Sequence, residues 1–548
     1  MANRSEMWPD TKFLERSRSR KLSWLAPLIL VILSTVVLYR SARSASDLFP
    51  TPDAVEYATG AAHFIADGHF RIELEGQRLP SRYPPWFSAV VLGPSYLLLG
   101  PDPGNGIFSV TLFAVLGVLI AFRIGLRLGG ATGALFAALA LLNAPAYREW
   151  GRLIMSDVPS AVVILILFSH YLRQDQRTER PPRYFFIAGL WTAAAALLRP
   201  VSLGAGLPFI LLAMVPGPGA PRSWRSRTTD LAIFAAPIFA AVLASAIYNI
   251  VTFSSAARSG YNFWCPIPYD YPSLTFSLSY VKRNFSELRS TPVPWVLAAL
   301  LAIGVIRMFM RPPSDRARLT RERTGRALIF LVFSMTPLVV FHLLYFFASA
   351  RFFLPLICLT EVLLAAEVGS FLPPAPVAPI LATLLLLTPG WRSRHPDPPP
   401  VRRIAADRIL RRTPDDAVII VGTDPVYFEY AAALHSHRRI IPASRNIEYA
   451  NKLIDAHGVA PLSPRPIGWW DHRWRGLWTV GAREAAPYIA GGHLDDLESD
   501  LRVGKRVFLD LSQLSATDPE VTRLRARFHA VPVEGPLSEL VLSPNEEP

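Results

Sequence analysis

Long apolar runs separated by short basic stretches dominate residues 22–390. A membrane span takes about 20 largely apolar residues. Runs of that kind stand at 22–39, 106–122, 131–146, 158–172, 184–198, 201–215, 230–250, 293–309, 327–348, 352–369 and 376–390. The pattern predicts an all-α polytopic membrane protein with about 11 transmembrane helices. Several runs are short, and 184–215 could be a hairpin that dips in and returns. The stretch 86–99 is apolar but contains Pro94 and ends in Gly100-Pro101-Asp102-Pro103-Gly104. It reads as an interfacial helix of the first outer loop, not as a span.

Past Pro389 the pattern changes. Residues 391–400 form a polar, proline-rich linker, and 401–548 alternate short β-rich runs with helix-like stretches. Ala417-Val418-Ile419-Ile420-Val421 and Arg506-Val507-Phe508-Leu509-Asp510-Leu511 predict strands; Val426 to Leu434 and Leu494 to Leu501 predict helices. This is the pattern of a small α/β soluble domain. Gly422 follows a strand without a phosphate-loop motif, so nucleotide binding has little support. The tryptophans at 469, 470, 474 and 478 suit packing against the domain or the membrane surface, with sugar stacking the alternative.

Charge fixes the orientation. Lys and Arg total 56 against 42 Asp and Glu, a net +14. Only 18% of residues are charged and 51% are hydrophobic, where soluble chains average about 25% charged. This distribution excludes disorder and argues against a simple soluble enzyme and a nucleic-acid-binding face. Arg4 to Lys21, Arg123 and Arg127, Arg173 to Arg183, Arg222 to Arg227 and Arg307 to Arg326 all fall on one side if 86–99 does not cross. That places the basic tail 1–21 in the cytoplasm. The loops 40–105, 147–157 and 251–292 and the domain 401–548 are then extracytoplasmic, on an inner (cell) membrane. The run 22–39 with Ser44-Ala45-Ser46 also permits a cleaved signal peptide, but its length favours an uncleaved anchor. Cys265 and Cys358 do not suggest a disulfide or a zinc site.

The chemistry gathers in the outer loops. Pro52 suits a helix start, and Asp53 falls in the first turn, where the dipole favours a carboxylate. Asp53, Glu56 and Tyr57 share one face by i,i+3 and i,i+4 spacing. Ala58, Ala61, Ala62, Phe64 and Ile65 make an apolar stripe, predicting an amphipathic helix at the outer interface. On spacing alone Asp53 reads first as an ordinary first-turn carboxylate. Asp157 opens the span after the second outer loop, where an acid is costly unless paired or used. Arg152 lies about one and a half turns away if that segment is helical, which would make a structural pair. Two such acids can take a proton from an attacking hydroxyl or hold a divalent cation, so Asp53 and Asp157 are candidate metal ligands as well as candidate catalysts. Arg82, Arg199 and Arg351 are the outward arginines, suited to phosphate oxygens; each could equally anchor to lipid headgroups.

These pieces, in this order, resemble the polytopic glycosyltransferases of the GT-C class, in the branch of protein O-mannosyltransferases and lipid A aminoarabinose transferases. The resemblance rests on Asp53-x3-Tyr57-x3-Ala61 with Gly68, on Arg82-Tyr83-Pro84-Pro85-Trp86, on Arg152-x4-Asp157 and on Arg351-Phe352-Phe353-Leu354-Pro355. It covers about residues 20–390. It implies a polyprenyl-phosphate-linked sugar donor, an acceptor hydroxyl on a protein, lipid or glycan, and a site on the outer face. Asp53 would be the general base, supported by Tyr57. Arg82 and Arg351 would steady the departing phosphate, and Asp157 would orient the acceptor or a metal ion. Glu56, Tyr83 and Arg152 complete the candidate substrate-binding set. Where family members carry an acid directly after the first Asp, this chain has Ala54, with Glu56 two positions on. Where they carry Lys-Pro-Pro, it has Arg82-Tyr83-Pro84-Pro85. A flippase or transporter would instead gather ionisable residues near the midplane. A display anchor would need only one span, and a ligase of lipid-linked glycans would share the chemistry.

Overall fold

The computed structural model describes residues 28–39, 52–74, 77–173, 181–214, 223–264, 269, 272–309, 315–347, 349–372, 401–421, 426–431, 437–442, 494–512 and 519–543. The expectations for the tail 1–21, Ser44 to Ser46, Cys265, the run 376–390, the linker 391–400, Gly422 and the tryptophans of 469–478 lie outside those residues.

Helices stand at ten of the eleven positions where the apolar runs predict them. They are α1 (Leu28–Tyr39), α4 (Gly106–Asn143), α6 (Asp157–Tyr171), α7 (Pro182–Leu198), α8 (Pro200–Met214), α9 (Trp224–Phe253), α12 (Val293–Phe309), α13 (Asp315–Leu344) and α14 (Leu354–Phe371). Of these, α4 occupies two expected positions. Its chain breaks at Gly130, whose φ of 67° is open to glycine. Pro145, Pro182, Pro200 and Pro355 each stand at the first turn of a helix, where the missing N–H costs nothing. Among the described residues four helices are long and apolar enough to cross a membrane alone, and a fifth span arises if α11 (Val281–Ser290) and α12, bent by 68°, act as one. The others are shorter apolar helices. Along α9 the side chains of Phe239, Val242, Leu243, Ile247, Ile250 and Val251 are exposed, an apolar face that suits lipid and not water.

Helices α4 and α14 pack backbone against backbone. A Cβ on Gly129 would lie 2.2 Å from the Ala366 carbonyl oxygen, and one on Gly369 would lie 2.6 Å from the Gly133 Cα. Small residues here let the two backbones touch. Gly129→Ala is therefore expected to lower the thermal unfolding midpoint by several degrees, from overpacking of about 1–3 kcal/mol. Gly304→Ala, with no described atom within 4 Å of its added Cβ, is the control and should not lower it. At one end of the bundle Arg323 donates to the Arg127 carbonyl at 3.0 Å, so two arginines placed on one side by sequence do meet.

Between α1 and α4 lie α2 (Pro52–Asp67), a hairpin of β1 (Arg71–Leu74) and β2 (Gln77–Pro80), and α3 (Phe87–Leu99), which opens as a π-helix. The interfacial reading needs an exposed apolar face, and α3 has one: Val90, Leu97, Leu98 and Leu99 are exposed along it. It fails for α2. Ala54 through His63 are buried on every side, including Glu56 and Thr59. What covers α2 is distant in sequence: α3, the loop after α5 (Pro145–Trp150), and Tyr430 of the C-terminal domain pack on it. The short helix α10 (Gly260–Trp264) presses on the segment after β2, since a Cβ on Gly260 would lie 2.3 Å from the Arg82 carbonyl oxygen. At the end of α13, the Asn284 side-chain amide of α11 lies within hydrogen-bond distance of the carbonyls of His342, Leu343 and Tyr345, and its two N–H groups are shared among them. This ties down the chain that leads to Arg351.

The C-terminal domain contains α15 (Val401–Arg412), β3 (Val418–Val421), α16 (Val426–Ala431), β4 (Arg439–Pro442), β5 (Val507–Asp510), α17 (Pro519–Arg527), β6 (Phe528–Glu534) and β7 (Leu537–Leu542). Its sheet runs β4-β3-β5-β7-β6, parallel among the first three and antiparallel beyond. Every residue of β3 and β5 is buried, as expected for strands covered on both faces.

Candidate active site

Asp53 sits in the first turn of α2 as the sequence predicts. One turn on, Glu56 faces the same way, and its carboxylate accepts two bonds along one edge of the Arg82 guanidinium: Nε donates to Oε2 at 3.2 Å and Nη2 to Oε1. Arg82 Nη2 also lies 3.5 Å from Asp53 Oδ1. From the other side Arg351, in the turn Ala350–Phe353 before α14, donates Nη2 to Asp53 Oδ2 at 2.6 Å. The Arg351 guanidinium lies over Trp150 and Phe352 and touches Met155 Sδ at 3.7 Å. Asp53 is thus held between two cations that the chain supplies from far apart.

Burial alone would raise the Asp53 carboxyl. The charges of Arg82 and Arg351, with hydrogen bonds from Arg351 and Tyr83, outweigh it and hold the group below the usual Asp range. Tyr57 and Tyr83 stack at 4.2 Å. Burial pushes both phenols upward, so they stay protonated at neutral pH and can act only as neutral partners.

Asp157 opens α6 and is almost fully enclosed. Its cation is Arg199, from the extended residue joining α7 to α8. The expected Arg152–Asp157 pair does not form. Gly151 to Met155 is an irregular turn, so helical spacing does not apply. Arg152 stands near Arg148 instead, and its charge lowers the Arg148 pKa after burial has done so. Tyr57 also departs from expectation: its hydroxyl lies 3.4 Å from Ser156 Oγ, beside Asp157, and not on Asp53. The two acids do share surroundings. Arg351 feels both Asp53 and Asp157, and Tyr57 feels both acids and Arg199. Their exposures differ, at 22% for the Asp53 side chain and 2% for Asp157. Solvent reaches the first and hardly touches the second.

A divalent ion on Asp53 and Asp157 does not fit this donor set. Arg82, Arg351 and Arg199 already balance Asp53, Glu56 and Asp157, so a cation would enter among three guanidinium groups. Among the described residues no group of three His, Cys, Asp or Glu could hold a metal. The sequence reading left Arg199 without a partner. Its one signal was an arginine between the end of an apolar run and a proline, in Leu198-Arg199-Pro200.

In a family model over part of its length and in its fold, this chain resembles the GT-C glycosyltransferases. The family model of dolichyl-phosphate-mannose-protein mannosyltransferases matches residues 84–248, which include Asp157 and Arg199. Among solved structures, the fold is similar to ArnT from Cupriavidus metallidurans bound to undecaprenyl phosphate. The TM-score is 0.54 at 14% identity, over 94% of this chain and 98% of that one. Weaker likeness, with TM-scores of 0.49 and 0.47, extends to the arabinofuranosyltransferase AftD from mycobacteria and the oligosaccharyltransferase AglB from Archaeoglobus fulgidus. The identities are 15% and 10%; the match covers 96% of this chain in both cases, but 40% and 75% of the other chains. No curated protein sequence matches the chain.

Proposed function

We propose that this protein is an inverting membrane glycosyltransferase that moves a sugar from a polyprenyl-phosphate donor to an acceptor hydroxyl. The observation that carries the reading is Asp53, reachable and ionised, clasped by arginines suited to a phosphate. In the step proposed, the acceptor oxygen attacks the anomeric carbon and its proton passes to Asp53. The bond from that carbon to the phosphate oxygen breaks, and the electron pair leaves on the lipid phosphate. The leaving group gains negative charge, which guanidinium groups stabilise as it develops. A donor phosphate competing for Arg351 would also relieve Asp53 of its closest cation and make it a better base. Asp157, too enclosed to meet an acceptor, serves by holding Arg199.

We place the site on the extracytoplasmic face of the cell membrane, with the N-terminus inside and the C-terminal domain outside. The packing of Tyr430 from α16 against the cluster around α2 supports placing that domain on the side of the site. The physical ground for an outer site is the donor: a lipid-linked sugar reaches an outer pocket through the bilayer, whereas a charged cytoplasmic sugar nucleotide does not.

The test is transfer by the purified full chain in nanodiscs, from a panel of polyprenyl-phosphate sugars to membrane-derived protein, lipid and glycan acceptors. Sugar transfer should release polyprenyl phosphate mole for mole, with the anomer inverted. Turnover should survive a strong chelator, because arginines already balance the site's acids. Retention of the anomer or complete loss with chelator would each break the corresponding part of the reading.

A further inference from the structure

Helix α11 has the amphipathic pattern that the sequence suggests for α2. Lys282, Arg283, Glu287 and Arg289 are crowded into its short length, so it cannot run on as part of a span. It meets α12, an apolar helix of 17 residues, at a bend of 68°. Apolar helices of span length cross near the membrane normal, which sets α11 close to the membrane plane. Helical spacing puts Lys282, Phe285 and Arg289 on one face, and Leu278 of the preceding turn continues that stripe. All four side chains are exposed, Leu278 at 81% and Phe285 at 53%. Trp295, in the first turn of α12, is exposed beside them in the chain. Glu287 lies about 140° round the helix from Lys282, off the stripe. Among the described residues no carboxylate pairs with Lys282 or Arg289.

A stripe that alternates large apolar groups with cations suits neither water nor the hydrocarbon core. It fits the headgroup layer, where Leu and Phe reach down to the acyl chains and Lys and Arg reach up to phosphates. Uncompensated basic residues at that depth favour anionic headgroups over zwitterionic ones.

The other side of α11 is tied to the chain that leads to Arg351. Asn284 is buried against the end of α13, as described above. Arg283 donates to the Phe346 carbonyl. Just before α11, the Ser277 N–H donates to the Leu344 carbonyl and the Phe346 N–H to the Thr275 carbonyl, each at 2.9 Å. The segment 342–346 is thus held almost entirely by α11 and the residues that precede it.

We infer that α11 is a lipid-docking helix: its stripe of Leu278, Lys282, Phe285 and Arg289 takes anionic phospholipids of the leaflet at the candidate site's end, and the contact steadies the segment 342–346. The lipid contact does not depend on the transfer reaction proposed above.

The experiment uses the full chain in nanodiscs, with Cys265→Ser and with Leu278→Cys carrying a fluorescent label. Phosphatidylglycerol and phosphatidylcholine are mixed in equal amounts, and one or the other has brominated acyl chains as the quencher. Quenching should be at least about twofold stronger when phosphatidylglycerol is the brominated lipid. With Lys282→Gln and Arg289→Gln together, the two lipids should quench alike. Glycerol phosphate in the buffer should leave the preference unchanged. Hydrogen exchange of residues 342–346 should be slower in discs with phosphatidylglycerol than in phosphatidylcholine alone, and Asn284→Ala should remove most of that difference. Equal quenching by the two lipids in the labelled parent overturns the anionic assignment, and an unchanged preference in the double variant overturns the role of Lys282 and Arg289. Absence of quenching by either lipid means that protein, such as a second copy, covers the stripe, and overturns the lipid docking. Loss of the preference with glycerol phosphate assigns the stripe to a soluble phosphate instead. Exchange that ignores lipid composition overturns the link to the segment before Arg351.

Discussion

Asp53→Asn is expected to lower kcat by about 10²–10⁴-fold, the usual contribution of a positioned general base, while donor KM stays level or falls. The amide keeps the shape and can still accept from Arg351, but it cannot take the proton of the attacking hydroxyl. Removing the carboxylate's charge also frees Arg351 to face a phosphate, which is why donor binding should not suffer. The pH dependence follows from the same contacts. Burial pushes Asp53 up, the two arginines push it further down, and the net displacement is downward. A carboxylate lowered in the fold contributes stability above its ordinary value of about 3.9, lost only as pH falls through the lowered folded value. In the free enzyme, therefore, no acid limb of kcat/KM above about pH 4 belongs to Asp53. Rate profiles of wild type and Asp53→Asn from pH 4 to 9 check this. Full turnover by the Asn variant would remove the base assignment.

The sequence carried the helices further than it carried the site. Apolar runs of span length lie where helices form, because in such a bundle the packing side and the lipid side both want apolar residues. The shared face of Asp53 and Glu56 was legible from i,i+3 spacing. Their partners were not: Arg351 lies 298 residues from Asp53, and nothing local announces it. The reading of α2 as a surface helix failed for a related reason. Its small residues Ala54, Ala58, Ala61 and Ala62 make an apolar stripe that would suit an interface, but they also permit close packing on all sides. Tyr430, which helps cover that helix, comes from a domain with its own sheet and its own core. The choice of Arg152 for Asp157 assumed helical geometry through Gly151 to Met155. A turn there sends Arg152 toward Arg148 and leaves the place to Arg199.

That exchange of partners sets up the second large effect. Asp157→Ala is expected to destabilise the protein by about 3–5 kcal/mol, the usual result of removing one member of a buried ion pair. Asp157 is 2% exposed and Arg199 17%, so the guanidinium left behind gains little water in compensation. Asp157→Asn should cost less, since its side-chain oxygen can still accept from Arg199. The double variant Asp157→Asn with Arg199→Gln should recover much of the loss, because it leaves neither charge alone. Thermal unfolding of wild type, Asp157→Asn, Arg199→Gln and the double variant in one detergent gives the coupling between the two positions directly. A purely catalytic Asp157 would leave all four melting alike while activity fell. Independent, additive losses would mean that Arg199 is not its counter-ion, and the arginine would then need another reason to stand at the apex of α7 and α8.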